Sequence, residues 1–222
     1  MDWLNGRKKP FQIRMYKEPI KIVVIGPEST GKSTLCRELA SFYGTEWCPE
    51  YAREYLLANG KDYSFDDLLH IAKGQLAMED ECSARVIKKL QQHQGSISEK
   101  PMLFIDTDMY VMKVWSEFVF GKCHQWIIDQ IVGRKYDLYL LCHTDLNWEK
   151  DELREYPDHS TRNFLFNMYK DIMINQSTPW ADIYGTDSQR LATALTAVDE
   201  LLKHQKTIHG SRANHIIPSA QY

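Results

Sequence analysis

Long apolar runs are missing from this chain of 222 residues. None approaches the roughly 18 consecutive apolar positions that a bilayer-spanning helix needs. The opening stretch MDWLNGRKKPFQIRMYKEP carries basic residues with no apolar signal core behind them. The expected location is therefore cytoplasmic. An excess of either charge is missing too: 27 Lys and Arg stand against 30 Asp and Glu, a formal net charge of −3. So balanced a chain has no global field to draw nucleic acid or anionic lipid, which leaves a small diffusible ligand as the expected partner. Cysteine is sparse. Cys36, Cys48, Cys82, Cys123 and Cys142 are odd in number and widely spaced with no CxxC pair, so neither a disulfide framework nor a structural zinc site is expected.

What is present is the composition of a single globular domain, 43% hydrophobic and 26% charged. Short β-rich runs at residues 21–25, 45–48, 102–105, 138–142 and 181–184 alternate with longer helical patterns, as in a parallel sheet with crossover helices. The clearest helix spans 64–93, where Phe65, Leu68, Leu69, Ala72, Leu76, Val86 and Leu90 recur at steps of three and four and Ser64 with Asp67 resembles a capping box. Leu191, Leu195, Val198 and Leu202 form the stripe of a last helix opened by Thr186 and Gln189. The expected organisation is an N-terminal extension at 1–19, a domain at 20–204 and a tail at 205–222.

Gly26-Pro27-Glu28-Ser29-Thr30-Gly31-Lys32-Ser33 fits GxxxxGK[ST] in full, follows the β-branched run Ile22-Val23-Val24-Ile25 and leads into Leu35, Leu39 and Phe42. A polyphosphate is wrapped by backbone N–H groups, so glycines are needed where a Cβ would collide or the backbone must turn. Gly26 and Gly31 stand at those places. With Glu28, Ser29, Thr30 and Thr34 they form the expected nucleotide cradle; Lys32 can reach the β- and γ-phosphates and Ser33 can offer its hydroxyl to Mg²⁺. The expected fold class is α/β, a P-loop NTPase with a roughly five-stranded parallel sheet, helices on both faces and a short helical lid. Met102-Leu103-Phe104-Ile105-Asp106 reads as a Walker B strand, making Asp106 the second magnesium partner. Asp108 follows near the same strand end, where ligands of open α/β sheets bind, or else it caps the next helix. No NKxD run, the base-reading signal of GTPases, occurs, so ATP is the expected nucleotide.

A small-molecule kinase needs a carboxylate at the acceptor hydroxyl, a site for the rest of the acceptor, and a cationic lid that excludes water. Glu50, just after the second strand and Pro49, is the leading base, and Arg53 and Glu54 share its face if the following stretch is helical. The lid candidate is the charged, Pro157-interrupted stretch 148–159, with Arg154 and then Arg162 as cations for the transferring phosphoryl group. Trp47, Tyr51, Tyr55, Tyr110 and Trp115 surround the expected acceptor side, and one or two of them would meet a planar cationic ring.

GPESTGKSTL, PEYAREYL, FIDTD and WEKDELR, in that order over about residues 20–204, together resemble the ribosylnicotinamide kinase domain of the NadR family. The resemblance implies phosphorylation of the 5′-hydroxyl of nicotinamide riboside by ATP and Mg²⁺, giving nicotinamide mononucleotide. Carried over by motif, residues 26–34 would hold ATP, Glu50, Tyr51 and Arg53 the riboside, Asp106 and Asp108 magnesium or ribose, and Arg154 the lid. Longer family members begin with an adenylyltransferase domain bearing HxGH and sometimes a DNA-binding segment; with only residues 1–19 ahead of the first strand, neither activity is expected here. Pro49 stands where the family usually has Trp, with Trp47 two positions earlier, and Asp151-Glu152 replaces a frequent Asp-Gly in the lid. The alternatives are a kinase of another nucleoside or small metabolite, or a regulatory nucleotide-binding ATPase that phosphorylates no acceptor.

Overall fold

Residues 18–92 and 101–212 are described by the computed structural model, the side chains of 206–212 excepted. In chain order the elements are β1 (Ile20–Ile25), α1 (Lys32–Phe42), β2 (Glu46–Cys48), α2 (Tyr51–Asn59), α3 (Phe65–Gln92), β3 (Met102–Asp106), α4 (Met109–Phe120), α5 (Gln125–Gly133), β4 (Leu138–Cys142), α6 (His159–Asn175), β5 (Trp180–Ile183) and α7 (Asp187–Arg212). The strands make one sheet in the order β2-β3-β1-β4-β5, every pair parallel. This is the α/β architecture with a five-stranded sheet expected above.

Strand alternation builds a core on each face of the sheet. Ile22, Val24, Phe104, Leu140 and Cys142 face one way, onto Leu35 and Leu39 of α1 and Ala194 and Val198 of α7. Val23, Ile25, Leu103, Ile105, Tyr139 and Leu141 face the other way, onto α3, α4 and α6 through Val86, Val114, Phe166 and Met173. Each fully buried aliphatic side chain of this kind stabilises the fold by about 1.5–3 kcal/mol. A third cluster joins α2, α3, α4 and α5 through Leu56, Leu68, Ile71, Met112 and Ile127 and forms a helical wall beside the sheet. Gly74 lets that wall close: a Cβ there would stand 2.0 Å from the Tyr51 ring.

Placement of the site follows from the register. β1 lies at the centre, pairing β3 on one side and β4 on the other, so the chain winds first to one edge and then to the opposite one. The crevice beyond the carboxyl ends of these strands is the usual ligand position in open α/β sheets. Val24 pairs with Asp106, and Cys48 with Ile105. Gly26, Glu50 and Asp106 therefore leave the sheet at nearly one level.

Two local expectations change. Of the stretch read as a short helical lid, 148–159, His159 already opens α6, and residues 148–158 are an irregular loop with one turn at 152–153. Its backbone donors bond to side chains of the phosphate loop and to Asp151 instead of to carbonyls four residues back, and Pro157 supplies no N–H. The last helix continues to Arg212 past the expected end at 204, so the first part of the expected tail is helical. Residues 213–222, and nearly all of the expected extension at 1–19, lie outside the described residues. Among the described residues no helix is long and apolar enough to cross a membrane.

Candidate active site

The loop from β1 to α1 is held open by backbone conformations that few side chains tolerate. Gly26 has φ +141°, and a Cβ there would meet the Cys142 carbonyl oxygen at 2.6 Å. Gly31 has φ +77° and Ser29 φ +54°. Thr30 Oγ1 and Lys32 Nζ both donate to the Pro27 carbonyl at 2.8 Å, which folds the loop around its own centre. Helix α1 starts after Gly31 with no side-chain cap and no acidic residue in its first turn, unlike α4, which Asp108 caps, and α6, which Asp158 caps. Its first N–H groups are thus left for an external acceptor at the positive end of the helix dipole.

Across from this helix end sit two carboxylates. Glu50 is the N-cap residue of α2 but makes no side-chain cap bond. Its carboxyl is consequently free to face a cleft of about 440 Å³ lined by the loop 26–34 and by Glu50, Arg53 and Asp106. Burial raises the Glu50 pKa, the Asp106 charge pushes it further up, and Lys32 and Arg53 pull it back. Asp106 is likewise raised by burial and opposed by Lys32 and the Ser33 hydrogen bond.

Ser33 Oγ donates to Asp106 Oδ2 at 2.5 Å, while Asp106 Oδ1 is buried with no partner. A hydroxyl and an orphaned carboxylate oxygen beside a phosphate loop suit a hard divalent cation that completes its shell with water and phosphate oxygens. Among the described residues no group of three or more His, Cys, Asp or Glu is placed to hold a metal. Thr107, next to Asp106, has φ +80° and a buried hydroxyl without a partner. For a β-branched residue that conformation costs about 1–3 kcal/mol, and such strain gathers at functional positions.

Not every residue marked in the sequence reaches the cleft. Asp108 is buried and accepts from the Tyr110 and Val111 N–H groups and from Tyr139 Oη at 2.9 Å. It caps α4 and does not line the cleft, so of its two readings the structure favours the cap. Burial pushes its pKa up to about 7. Tyr51 packs into the helical wall against Gly74, Tyr55 donates to Asp67, and Tyr110 packs on Tyr139, all outside the cleft lining. Trp47 and Trp115 do line it, together with Phe118, Tyr156 and Tyr169. Arg154 lines the same cleft from the loop, and its Nη1 donates to the Glu149 carbonyl at 2.5 Å. Arg53 pairs with Asp151 of the loop at 3.0 Å. Arg162, 2% exposed, spends its Nη2 on the carbonyls of Ser29, Thr144 and Leu146; it braces the base of the loop instead of projecting a free guanidinium.

Two positioning residues carried no motif. Gln75 of α3, 1% exposed, accepts from the Tyr51 N–H at 2.7 Å and donates toward the Pro49 and Asp106 carbonyls at 3.3 and 3.5 Å, tying together the strand ends that bear Glu50 and Asp106. Arg190 of α7 donates to the carbonyls of Thr30, His143 and Gly185 at 2.9–3.0 Å and pairs with Asp145, fastening the phosphate loop from the opposite side. A glutamine within an apolar stripe and an arginine in a helix's first turn have no spacing signature, since their partners are distant carbonyls. A second cleft of about 330 Å³, lined by Ser29, Gly31, Thr34, Arg154, Asp187 and Arg190 among others, opens on the α7 side of the phosphate loop.

A family described as AAA domain matches residues 21–190. The trifunctional NAD biosynthesis/regulator protein NadR of Escherichia coli (strain K12) is 24% identical over 210 residues, which cover 92% of this chain and 47% of that protein. This chain therefore spans about half the length of that curated relative. The solved structure of NadR protein in complex with NR is similar at a TM-score of 0.61 and 23% identity, over 82% of this chain and 49% of that one. Thymidylate kinase from Ehrlichia chaffeensis is similar at a TM-score of 0.52 and 17% identity, over 82% of this chain and 98% of that one. These likenesses establish a P-loop, kinase-like fold.

Proposed function

Since the chain belongs to the AAA domain family, a P-loop fold, we propose that it is an ATP- and Mg²⁺-dependent kinase that phosphorylates the 5′-hydroxyl of nicotinamide riboside to nicotinamide mononucleotide. One observation carries the reading: the carboxyls of Glu50 and Asp106 and the ammonium of Lys32 converge on one cleft opposite an uncapped helix N-terminus. A nucleotide-binding loop alone serves hydrolysis and transfer equally. A partly buried carboxylate with a raised pKa, free of any capping duty and facing the phosphate loop, is what a hydroxyl acceptor adds to the requirement.

In this reading the first-turn N–H groups of α1 and Lys32 bind the phosphate chain, and Glu50 orients the acceptor hydroxyl and takes its proton at a carboxylate oxygen. Ser33 and Asp106 would hold Mg²⁺, which would neutralise phosphate charge. Arg154 faces the transferring group from the loop and Arg53 lies at the acceptor. The aromatic wall of Trp47, Trp115, Phe118, Tyr156 and Tyr169 gives a planar cationic ring faces to stack on, worth about 0.5–2 kcal/mol per good contact. Support for the riboside comes from the relative described as an NAD biosynthesis/regulator protein and from the similar NadR structure solved in complex with NR. In this proposal the substrate is a small molecule and the protein acts in the cytoplasm, with which the lack of a membrane-crossing helix among the described residues is compatible.

Purified protein incubated with ATP, Mg²⁺ and nicotinamide riboside should yield the mononucleotide by mass spectrometry, in step with ADP. A panel of other nucleosides decides the acceptor. Release of free phosphate with no phosphorylated acceptor from any of them would replace the kinase with an ATPase.

A further inference from the structure

A carboxylate inside a phosphate-binding loop needs a reason, because it repels the ligand that the loop attracts. Glu28 is that carboxylate, half-buried at the third position of the loop. Its Oε1 accepts the Trp148 indole N–H at 3.1 Å and the Tyr156 backbone N–H at 2.7 Å, and its Oε2 accepts the Glu155 N–H at 2.9 Å. Beside it, Ser29 Oγ accepts the Glu149 N–H at 3.0 Å. The loop 147–158 is thus attached at both its ends to two consecutive side chains of the phosphate loop. Between the attachments stands Arg154, which lines both clefts and is tethered to the Glu149 carbonyl.

We propose that Glu28 is a positioning residue: through its three hydrogen bonds it latches the 147–158 lid onto the phosphate loop and sets Arg154 over the transferring phosphoryl group. This rests on the kinase reading above and assigns to Glu28 a task other than binding ATP. Hydrogen bonds to a charged acceptor are shorter and stronger than neutral ones, and three of them on one carboxylate hold a loop that lacks regular secondary structure. Lids of this kind align the reacting groups and exclude water.

The latch predicts a kinetic pattern opposite to that of a damaged phosphate loop. Glu28→Ala removes a negative charge next to the phosphates, so the KM for ATP stays level or falls, while kcat drops by about tenfold or more because Arg154 is no longer placed. Free phosphate released per acceptor phosphorylated rises as water enters. Glu28→Gln, which keeps one acceptor oxygen, falls between, and Trp148→Phe, which removes one donor, shows a smaller loss. Glu28→Ala combined with Arg154→Ala is no worse than the poorer single variant, because both act through one group. Trypsin cleaves after Lys150 and Arg154 faster in Glu28→Ala than in the parent protein, with AMP-PNP bound to each. A raised KM for ATP at unchanged kcat, or multiplicative losses in the double variant, overturns the latch. If Glu28→Ala does not fold, Glu28→Gln and Trp148→Phe decide by the same measures. Should the parent protein transfer phosphate to no acceptor, the kinase reading fails by itself, and equal lid cleavage in parent and variant then overturns the latch separately.

Discussion

As the proposed base, Glu50 would work only in its charged form, yet burial opposes that form. Desolvation and the Asp106 charge raise its pKa above the ordinary glutamate value while Lys32 and Arg53 lower it. Transfer should therefore fall as pH drops through this raised pKa, on an acid limb lying above the ordinary carboxylate range. Glu50→Gln should lose a factor of about 10² or more in kcat and flatten that limb. A rate and pH profile unchanged from the parent would remove Glu50 as the base. Lys32→Ala should abolish transfer while circular dichroism shows the fold intact, since the Nζ atom donates to the carbonyl of Pro27 within its own loop. Full turnover in that variant would take the ammonium out of the mechanism. The loop that carries Lys32 was legible because phosphate binding requires a contiguous pattern, GxxxxGK[ST], that survives without knowledge of the fold, whereas Glu50 was read only from its place after the second strand. Gln75 and Arg190 were not legible, because they act on carbonyls brought near only by the crossovers.

Among the elements, strands read most faithfully, since a fully buried parallel strand is a short apolar run wherever it occurs. Residues 138–142 were expected as a strand and are one, and β5 lies one residue earlier than expected. The lid was misread as helical because local charge and spacing said nothing of Glu28, whose oxygens capture N–H groups that a helix would have used. Asp108 shows how one carboxylate can satisfy two patterns: it stands at a strand end, where ligands bind, and at a helix start, where caps belong. Its hydrogen bonds to Tyr110, Val111 and Tyr139 place it in the second role. Because its pKa is pushed up to about 7 from an ordinary 3.8, its contribution to stability is fully present below the unfolded value and lost as pH rises through the folded one. Asp108→Asn removes this titration. Urea melts should find the parent's advantage over Asp108→Asn larger near about pH 5 than near about pH 8. An advantage that is constant or grows with pH would show that the carboxyl is not held protonated.

For the molecule as a whole, the phosphate site is where the two faces of the sheet and distant parts of the chain meet. The far wall of the loop is α7, whose Arg190 is 3% exposed and fastens Thr30, His143 and Gly185 at once. Arg190→Ala leaves those carbonyls short of a donor and takes the partner from Asp145. Leaving buried carbonyls without a donor costs about 1–3 kcal/mol, and loss of the pair adds little because the Asp145 side chain is 39% exposed. A purely structural brace would stop there. If α7 instead belongs to the binding site, the fraction of molecules with a competent phosphate loop falls as well, and the apparent Kd rises by that factor. AMP-PNP at a concentration of about 100 times the parent Kd should stabilise the parent by about 2.7 kcal/mol and Arg190→Ala by clearly less at the same concentration. Calorimetry of nucleotide binding below both melting transitions separates the two cases. An Arg190→Ala protein that melts early yet binds the nucleotide as tightly as its parent would confine α7 to the scaffold.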